Sequence, residues 1–294
     1  FVCSRDATNK KKGDKSMFGD LTRVGSNFHA YEAWANLKKT NGKMGQIQSR
    51  LSTGKRINSA EDDTSGYALA KNLESRVRGL GQALENVGTA KNVLNIAEGG
   101  FQAQMSLLQT MKEKATQAAD GSYSTAQRTA INDQFVALRT EFDDISSDTK
   151  FNDTALMSAT AMVFHVGEGN TDTLSVTFGT SVAATIGEDN TNISATTLAT
   201  QAGAVAGVAL LDTAIKSLAK SVQNVGDNNA RLSSKEESLS LAISNTEATR
   251  SRIEDADFAK EQMSMMRLQI LQQTTVASFA QANSAPQMVL GLFR

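Results

Sequence analysis

The apolar positions of this chain recur at helical spacing, and in long stretches at intervals of seven. Leu73, Leu80, Val87, Leu94, Phe101 and Leu108 fall on successive seven-residue steps, with Val77, Leu84, Met105 and Met111 flanking them. That pattern predicts a long helix packed along one seam, as in a coiled coil. Gly79, Gly81, Gly88, Gly99 and Gly100 lie inside it, so its intrinsic propensity is poor and packing has to hold it. A turn signal at 119–122 separates it from a second helix, marked by Ile131, Phe135, Leu138, Phe142 and Ile145.

Heptads return in the back half. Leu211, Leu218, Val225, Leu232, Leu239, Thr246 and Ile253 repeat every seven residues, with Ile215, Val222 and Ile243 at the companion position. A helix over about 205–253 is predicted, on the order of 70 Å long. Asn229, Glu236 and Arg250 interrupt the companion seam, as register-fixing polar residues do. At the front, 27–51 reads as a helix with an apolar stripe of Phe28, Tyr31, Trp34, Leu37, Met44, Ile47 and Leu51. Leu37, Met44 and Leu51 keep the seven-residue step of an inter-helix seam.

The last stretch, 251–294, is different in kind. From Gln262 through Phe293 its only charged side chain is Arg267. Phe258, Met265, Leu268, Leu271, Thr275, Phe279 and Ala282 mark one helical face, glutamines occupy the others, and Val289, Leu290, Leu292 and Phe293 close the chain. A helix so poor in charge is not an ordinary solvated one. Nor is it a membrane span, because its many amides would be unsatisfied in lipid. The remaining reading is a helix buried among other protein helices, suited to self-association.

Residues 151–200 break the helical pattern. Runs at 161–166 and 173–178 flank Gly167-Glu-Gly-Asn-Thr-Asp172 and predict a hairpin. From there to Thr200 the chain is dense in Ser and Thr without periodicity, which predicts surface loop. Asn152 and Asn192 each begin a glycan-acceptor triplet. The fold class is therefore mainly α: a long antiparallel helical bundle or coiled coil formed by the N- and C-terminal regions, with a small β-hairpin insert. Four divisions follow: a polar extension at 1–16, a terminal coiled coil of 17–56 with 255–294, a bundle of 57–158 with 203–254, and an insert at 159–202.

Composition supports this. A single proline permits long helices, and aromatics at 5% indicate a thin core. Charge is balanced at 30 basic against 31 acidic residues, so no global field draws nucleic acid or a membrane surface. The lone Cys3 excludes an intramolecular disulfide and a cysteine metal cluster. No hydrophobic run is expected to reach transmembrane length, and residues 1–30 lack the apolar core of a secretory signal. The tail at 1–16, with Lys10, Lys11 and Lys12, is too polar to order itself, and Met17 is a candidate start.

The candidate chemistry is concentrated in the turn LSTGKRINSAEDDTSG at 51–66. Ser59 with Asp62 fits a helix-capping pattern, and Glu61, Asp62 and Asp63 suit a first helical turn. A metal site is the rival reading, but neither His nor calcium-loop spacing accompanies the acids. Lys55 and Arg56 precede them closely, which favours a charged clasp within or between subunits. A bare Gly167-x-Gly169 without a following helix does not make a nucleotide site. His29 and His165 are the only histidines, and no nucleophile–base constellation accompanies them.

The segment 51–66 resembles the flagellin signature in which a leucine-serine-glycine turn leads to R-I-N-S-A-x-D-D. SRIEDAD at 251–257, QILQQ at 269–273, AQAN at 280–283 and PQMVL at 286–290 are similar to that family's C-terminal signature. FHVGEGN at 164–170 with LSVTF at 174–178 is similar to the family's outer hairpin. Together the resemblance covers about 22–160 and 205–294. It implies a bacterial flagellar filament subunit in a short form without large outer domains, exported unfolded through the flagellar type III apparatus and folding its ends on polymerisation. The partners implied are other copies of itself in a helical homopolymer, the flagellar cap and hook-junction proteins, and an export chaperone at the C-terminal region. No cofactor, nucleic acid or membrane insertion is implied, and the place of action is the extracellular filament.

On that resemblance the subunit-interface residues are Leu37, Met44, Leu51, Phe258, Met265, Leu268, Leu271, Phe279, Val289, Leu290, Leu292 and Phe293. Lys55, Arg56, Glu61, Asp62 and Asp63 supply charged loop contacts. Two departures stand in 109–116, where receptor-recognised flagellins carry arginine at the place of Thr110 and leucine at that of Lys114. Weak or absent activation of the mammalian Toll-like receptor is the expectation. Family members begin just before Val24, so residues 1–16 are a further departure. Two other readings are a hook–filament junction protein, which has similar terminal helices, and an enzyme carried on a flagellin scaffold, which would need H-E-x-x-H on a helix.

Overall fold

The computed structural model describes residues 27–158, 161–186, 189 and 191–292, with side chains up to 284. Five helices account for most of it: α1 (Phe28–Thr53), α2 (Thr64–Ala119), α3 (Thr125–Asp148), α4 (Gln201–Glu254) and α5 (Phe258–Leu292). Between α3 and α4 lie three antiparallel strand pairs: β1 (Lys150–Phe151) with β2 (Thr154–Ala155), β3 (Ala161–His165) with β4 (Thr173–Thr177), and β5 (Ser181–Val182) with β6 (Thr185–Ile186). The chain divides into two compact units, residues 71–249 and residues 1–70 with 250–294, and α2 and α4 contribute to both. The extension at 1–16, with Cys3 and Met17 after it, lies outside the described residues.

The larger unit holds the core. Leu80, Val87, Leu94, Phe101 and Leu108 are buried on α2, as their spacing predicts, against Phe135 and Phe142 of α3 and Leu211, Leu218, Val225, Leu232 and Leu239 of α4. The second buried line on α4 is not the predicted one. Gly207, Ala214 and Ser221, again seven apart, are fully enclosed, whereas Ile215, Val222 and Ile243 pack at the margin. Small residues let helices approach closely, and larger ones then cover the edges. The polar seam residues cross to α2: Asn229 Nδ2 donates to Asn95 Oδ1 at 3.2 Å, and Lys91 Nζ meets Glu236 at 2.9 Å. These partners run in opposite directions along α2 and α4, so the pair is antiparallel.

The hairpin forms where the alternation places it, with Phe164 opposite Leu174. The rest of the insert corrects the sequence reading. The stretch to Thr200 is not mere surface, because Phe178, Ala183, Ile186, Ile193 and Leu198 are fully buried in the same core. Single apolar residues, too far apart to show a period, anchor each turn. Two buried polar side chains are matched beneath them: Gln104 Nε2 donates to Phe142 O at 2.8 Å and to Ser181 O at 3.0 Å, and Ser217 Oγ to Ile186 O at 2.9 Å. Asn152 and Asp153 take positive φ in the β1–β2 turn, which Asn and Asp tolerate. Asn192 is exposed, its side chain accepting from Ser194 N and Oγ.

A second correction concerns length. Helix α4 is long and apolar enough to cross a membrane by composition alone. Within it, however, Leu211, Ala214 and Leu218 are buried in the unit's own core, and Asp212 pairs with Lys112 at 2.5 Å.

Candidate assembly interface

The smaller unit is built on α1 and α5. Helix α1 starts at Asn27, whose side chain accepts from Ala30 N at 3.0 Å, and stops at Gly54 with φ of 71°. A left-handed C-cap of that kind is open to glycine at little cost. The two helices run antiparallel, as cross-bonds show: Asn27 Nδ2 to Ala282 O at 2.7 Å, Gln272 Nε2 to Asn41 Oδ1 at 2.8 Å, and Arg50 Nη1 to Glu261 Oε1 at 3.5 Å.

Their seam follows the heptad on both sides. Leu37, Thr40, Met44, Ile47 and Leu51 of α1 are half-buried, as are Met265, Leu268, Gln272, Thr275, Phe279 and Ala282 of α5. Within one chain, then, Leu37, Met44, Leu51, Met265, Leu268 and Phe279 face the partner helix and remain only half-covered. Phe258 and Leu271 do not share that face and are 58% and 43% exposed. Phe28, Tyr31 and Trp34 also leave the predicted stripe. They are exposed on another side of α1, where Trp34 stacks near Tyr31 at 5.9 Å and carries Lys38 Nζ 5.7 Å from its ring. The side chains of Val289, Leu290 and Leu292, and all of Phe293, lie outside the described residues.

Helix α5 carries apolar side chains on several sides, set between its glutamines. Besides its half-covered seam, it exposes Phe258, Met263, Met266, Ile270, Leu271 and Val276, from 43% to 64%. Exposed apolar side chains in that number suit a helix that other protein covers.

The turn between α1 and α2 forms a clasp, with partners the spacing did not reveal. Lys55 and Arg56 do not pair with the acids at 61–63. Lys55 Nζ reaches Glu254 Oε1 at 2.6 Å, Arg56 Nη2 donates to Ile253 O at 2.8 Å, and the backbone pairs Lys55 with Asp255. Glu254 is buried with Arg250 Nε 3.8 Å from its second oxygen. The cap of α2 is Asp63, whose Oδ1 accepts from Ser65 N and Gly66 N at 3.1 and 3.0 Å, in place of the expected Ser59 with Asp62. Gly66 is needed there, since an added Cβ would stand 2.5 Å from Asp63 Oδ2 and 2.7 Å from Ile57 Cδ1.

Asp62 instead turns back on the loop. It accepts from Gln46 Nε2 at 2.6 Å, from Asn58 N at 3.1 Å and from Ser59 N at 3.3 Å, with Arg50 4.0 Å away. These donors, Gln46 first, hold its carboxyl below the usual aspartate value. Glu61 stays exposed. Arg50 and Glu254 are the clasp residues that sequence reasoning missed. The signal for Arg50 was there: an arginine beside Leu51, at the end of an otherwise uncharged seam. In the larger unit, Thr110 and Lys114 stand one turn apart on α2, half-buried, with Thr110 Oγ1 bonded back to Ser106 O at 3.0 Å.

The chain matches two family descriptions, "Bacterial flagellin N-terminal helical region" over residues 24–162 and "Bacterial flagellin C-terminal helical region" over 208–293. Flagellin FlaB1 of Treponema pallidum is 31% identical over 284 residues, spanning 92% of this chain and 99% of its own length. The flagellar filament 33 kDa core protein of Treponema phagedenis is 32% identical over 284 residues, with the same 92% and 99% coverage. Among solved structures, one described as a flagellar hook-associated protein of Vibrio parahaemolyticus aligns with a TM-score of 0.56 over 66% of this chain and 100% of its own, at 15% identity. That last likeness is one of fold.

Proposed function

Because the chain belongs to the bacterial flagellin family, we propose that it is a structural subunit of a flagellar filament that polymerises through its α1–α5 pair. The observation that carries the mechanism is α5, which keeps Phe258, Met263, Met266, Ile270, Leu271 and Val276 exposed outside the one face that a single chain covers. Burial of apolar area is worth about 25 cal/mol per Å², so neighbouring copies that close over Met263, Met266, Ile270 and Val276 gain substantially. Heterologous contacts of this kind do not close on themselves and give an open helical polymer. The terminal coiled coil of 17–56 with 255–294 then forms the filament's inner wall, and the bundle of 57–158 with 203–254 its shell.

A two-helix layer with so little covered seam cannot by itself offset the entropy of ordering its residues. The ends therefore fold as each subunit joins, and the ordering cost is met at the filament tip. The subunit works outside the cell, passes through the flagellar export apparatus, and meets a chaperone on its C-terminal region and cap and hook-junction proteins in the filament. Thr110 and Lys114, in place of an arginine and a leucine, favour weak recognition by the mammalian receptor. The role is structural, with no catalytic assignment. The fold is shared with a hook-associated protein, but the identity to filament proteins over nearly the whole chain favours the filament.

Truncation tests the mechanism. Removal of 284–294 is expected to leave a soluble, partly helical monomer that no longer polymerises, read by circular dichroism and electron microscopy. Filaments forming normally from that variant would overturn it.

A further inference from the structure

The smaller unit holds a cleft of about 740 Å³ beside the clasp, lined by six cationic side chains against three acidic ones. Two of the acids are already engaged: Asp257 Oδ1 accepts from Lys260 N, and Glu261 faces Arg50. Of the cations, Lys43, Arg252, Lys260 and Arg267 have no partner among the described residues. Arg50 Nε is buried and also lacks an acceptor. Six cations against three acids, two of them engaged, leave this cleft with an excess of positive charge in one chain. What it lacks is carboxylate.

The larger unit carries the opposite excess. Glu141, Asp144 and Asp148 are exposed at the C-terminal end of α3, on one face by their spacing, and are without a partner among the described residues. No basic residue stands in that last turn. Like charges three and four apart repel, and acids at a helix C-terminus oppose its dipole. The spans also agree. Glu141 to Asp148 and Lys260 to Arg267 are both two helical turns, each on the order of 10 Å at 1.5 Å per residue.

We propose that the basic cleft of one copy receives the acidic end of α3 from a second copy, an ionic contact that sets subunit register in the polymer. This rests on the filament reading. It adds to the apolar burial of α5 a charge pairing that selects orientation, since a wrong register places unpaired charge against charge.

The test is a charge exchange. Arg252→Glu with Lys260→Glu, and separately Asp144→Lys with Asp148→Lys, are each expected to raise the critical concentration for polymerisation about tenfold or more. All four changes in one chain are expected to bring it back toward wild type, with helical content unchanged throughout by circular dichroism. Either pair polymerising like wild type, or a combined variant no better than the single pairs, would overturn the contact. A second measurement needs no variant. Zero-length carbodiimide crosslinking of filaments grown from mixed ¹⁵N-labelled and unlabelled chains is expected to join Lys260 to Asp144 or Asp148 across differently labelled copies. Links confined to one copy, or none at these residues, would refute it. Wild-type chain that forms no filaments at all takes down the filament reading, and this contact with it, so the two failures are distinguishable.

Discussion

Helices α4 and α5 carry the same kind of repeat and come to different ends. On α4, Leu211, Leu218 and Leu232 are fully buried, while on α5 the equivalent line through Met265, Leu268 and Phe279 is half-covered. The repeat alone therefore does not decide burial. Around α4 stand α2, α3 and the anchored loops of the insert, which close the core on several sides. Around α5 stands α1. A domain needs at least two packed layers with a shared interior, and a helix pair has only a seam. Among the described residues of the smaller unit, the buried apolar ones are Ala30, Ile57 and Ala70, too few to hold it. One unit is a finished domain, and the other is the part that the proposed polymer would complete.

Two leucine truncations put that difference to the test. Leu218→Ala removes a fully buried side chain from a closed core and is expected to cost about 3 kcal/mol, within the range for such cavities. Urea unfolding of the monomer, followed by far-ultraviolet circular dichroism, measures it. A loss below about 1 kcal/mol would mean that the core yields to fill the gap. Leu268→Ala is expected to leave the stability of the monomer unchanged, because its helix orders only as the subunit joins the polymer. The same substitution raises the critical concentration for polymerisation severalfold, because it removes half-buried apolar surface from the assembled seam. Equal costs in the monomer for the two leucines would erase the distinction between the units.

Much of the helical frame was legible in the sequence, because heptads report a seam directly. The predicted line is buried from Leu80 to Leu108, while its first member, Leu73, is half-buried. Legibility failed where the cause was not periodic. Ile193 and Leu198 looked like stray apolar residues in a Ser/Thr-rich loop, yet each fills the core, since an anchored turn needs only one side chain at a time. Phe28, Tyr31 and Trp34 satisfied a helical stripe by spacing, but hydrophobicity says which residues prefer burial, not whether one chain can provide it. The clasp was half visible. Lys55 and Arg56 were found, but Glu254 lies 199 residues from Lys55, and no local pattern links them. Only the antiparallel return of α5 against α1 brings such partners together.

The smallest effect distinguishing the units is one of pH. Asp62 has its carboxyl held below the usual value of 3.8 by Gln46 Nε2, the Asn58 and Ser59 amides and the Arg50 guanidinium. A carboxylate depressed in the folded state contributes stability above its unfolded value, and that contribution is lost as pH falls through the folded one. The turn from Asn58 to Asp62 should thus hold from neutral pH down to about 4, near the reference value for aspartate, and loosen below it. The larger unit, whose core rests on apolar packing, should not follow at the same pH. Amide shifts of Asn58 and Ser59 in ¹⁵N-labelled filaments, read by solid-state NMR, report the change, with amides around Leu218 as the internal reference. Asp62→Asn should abolish the transition while weakening the turn at neutral pH, because the carboxylate uses Oδ1 for Gln46 and Oδ2 for the Asn58 and Ser59 amides, and an amide keeps only one acceptor oxygen and no charge for Arg50. If Asn58 and Ser59 titrate with a midpoint above that of an ordinary aspartate, the sign is wrong, and Asp62 destabilises the turn instead of holding it.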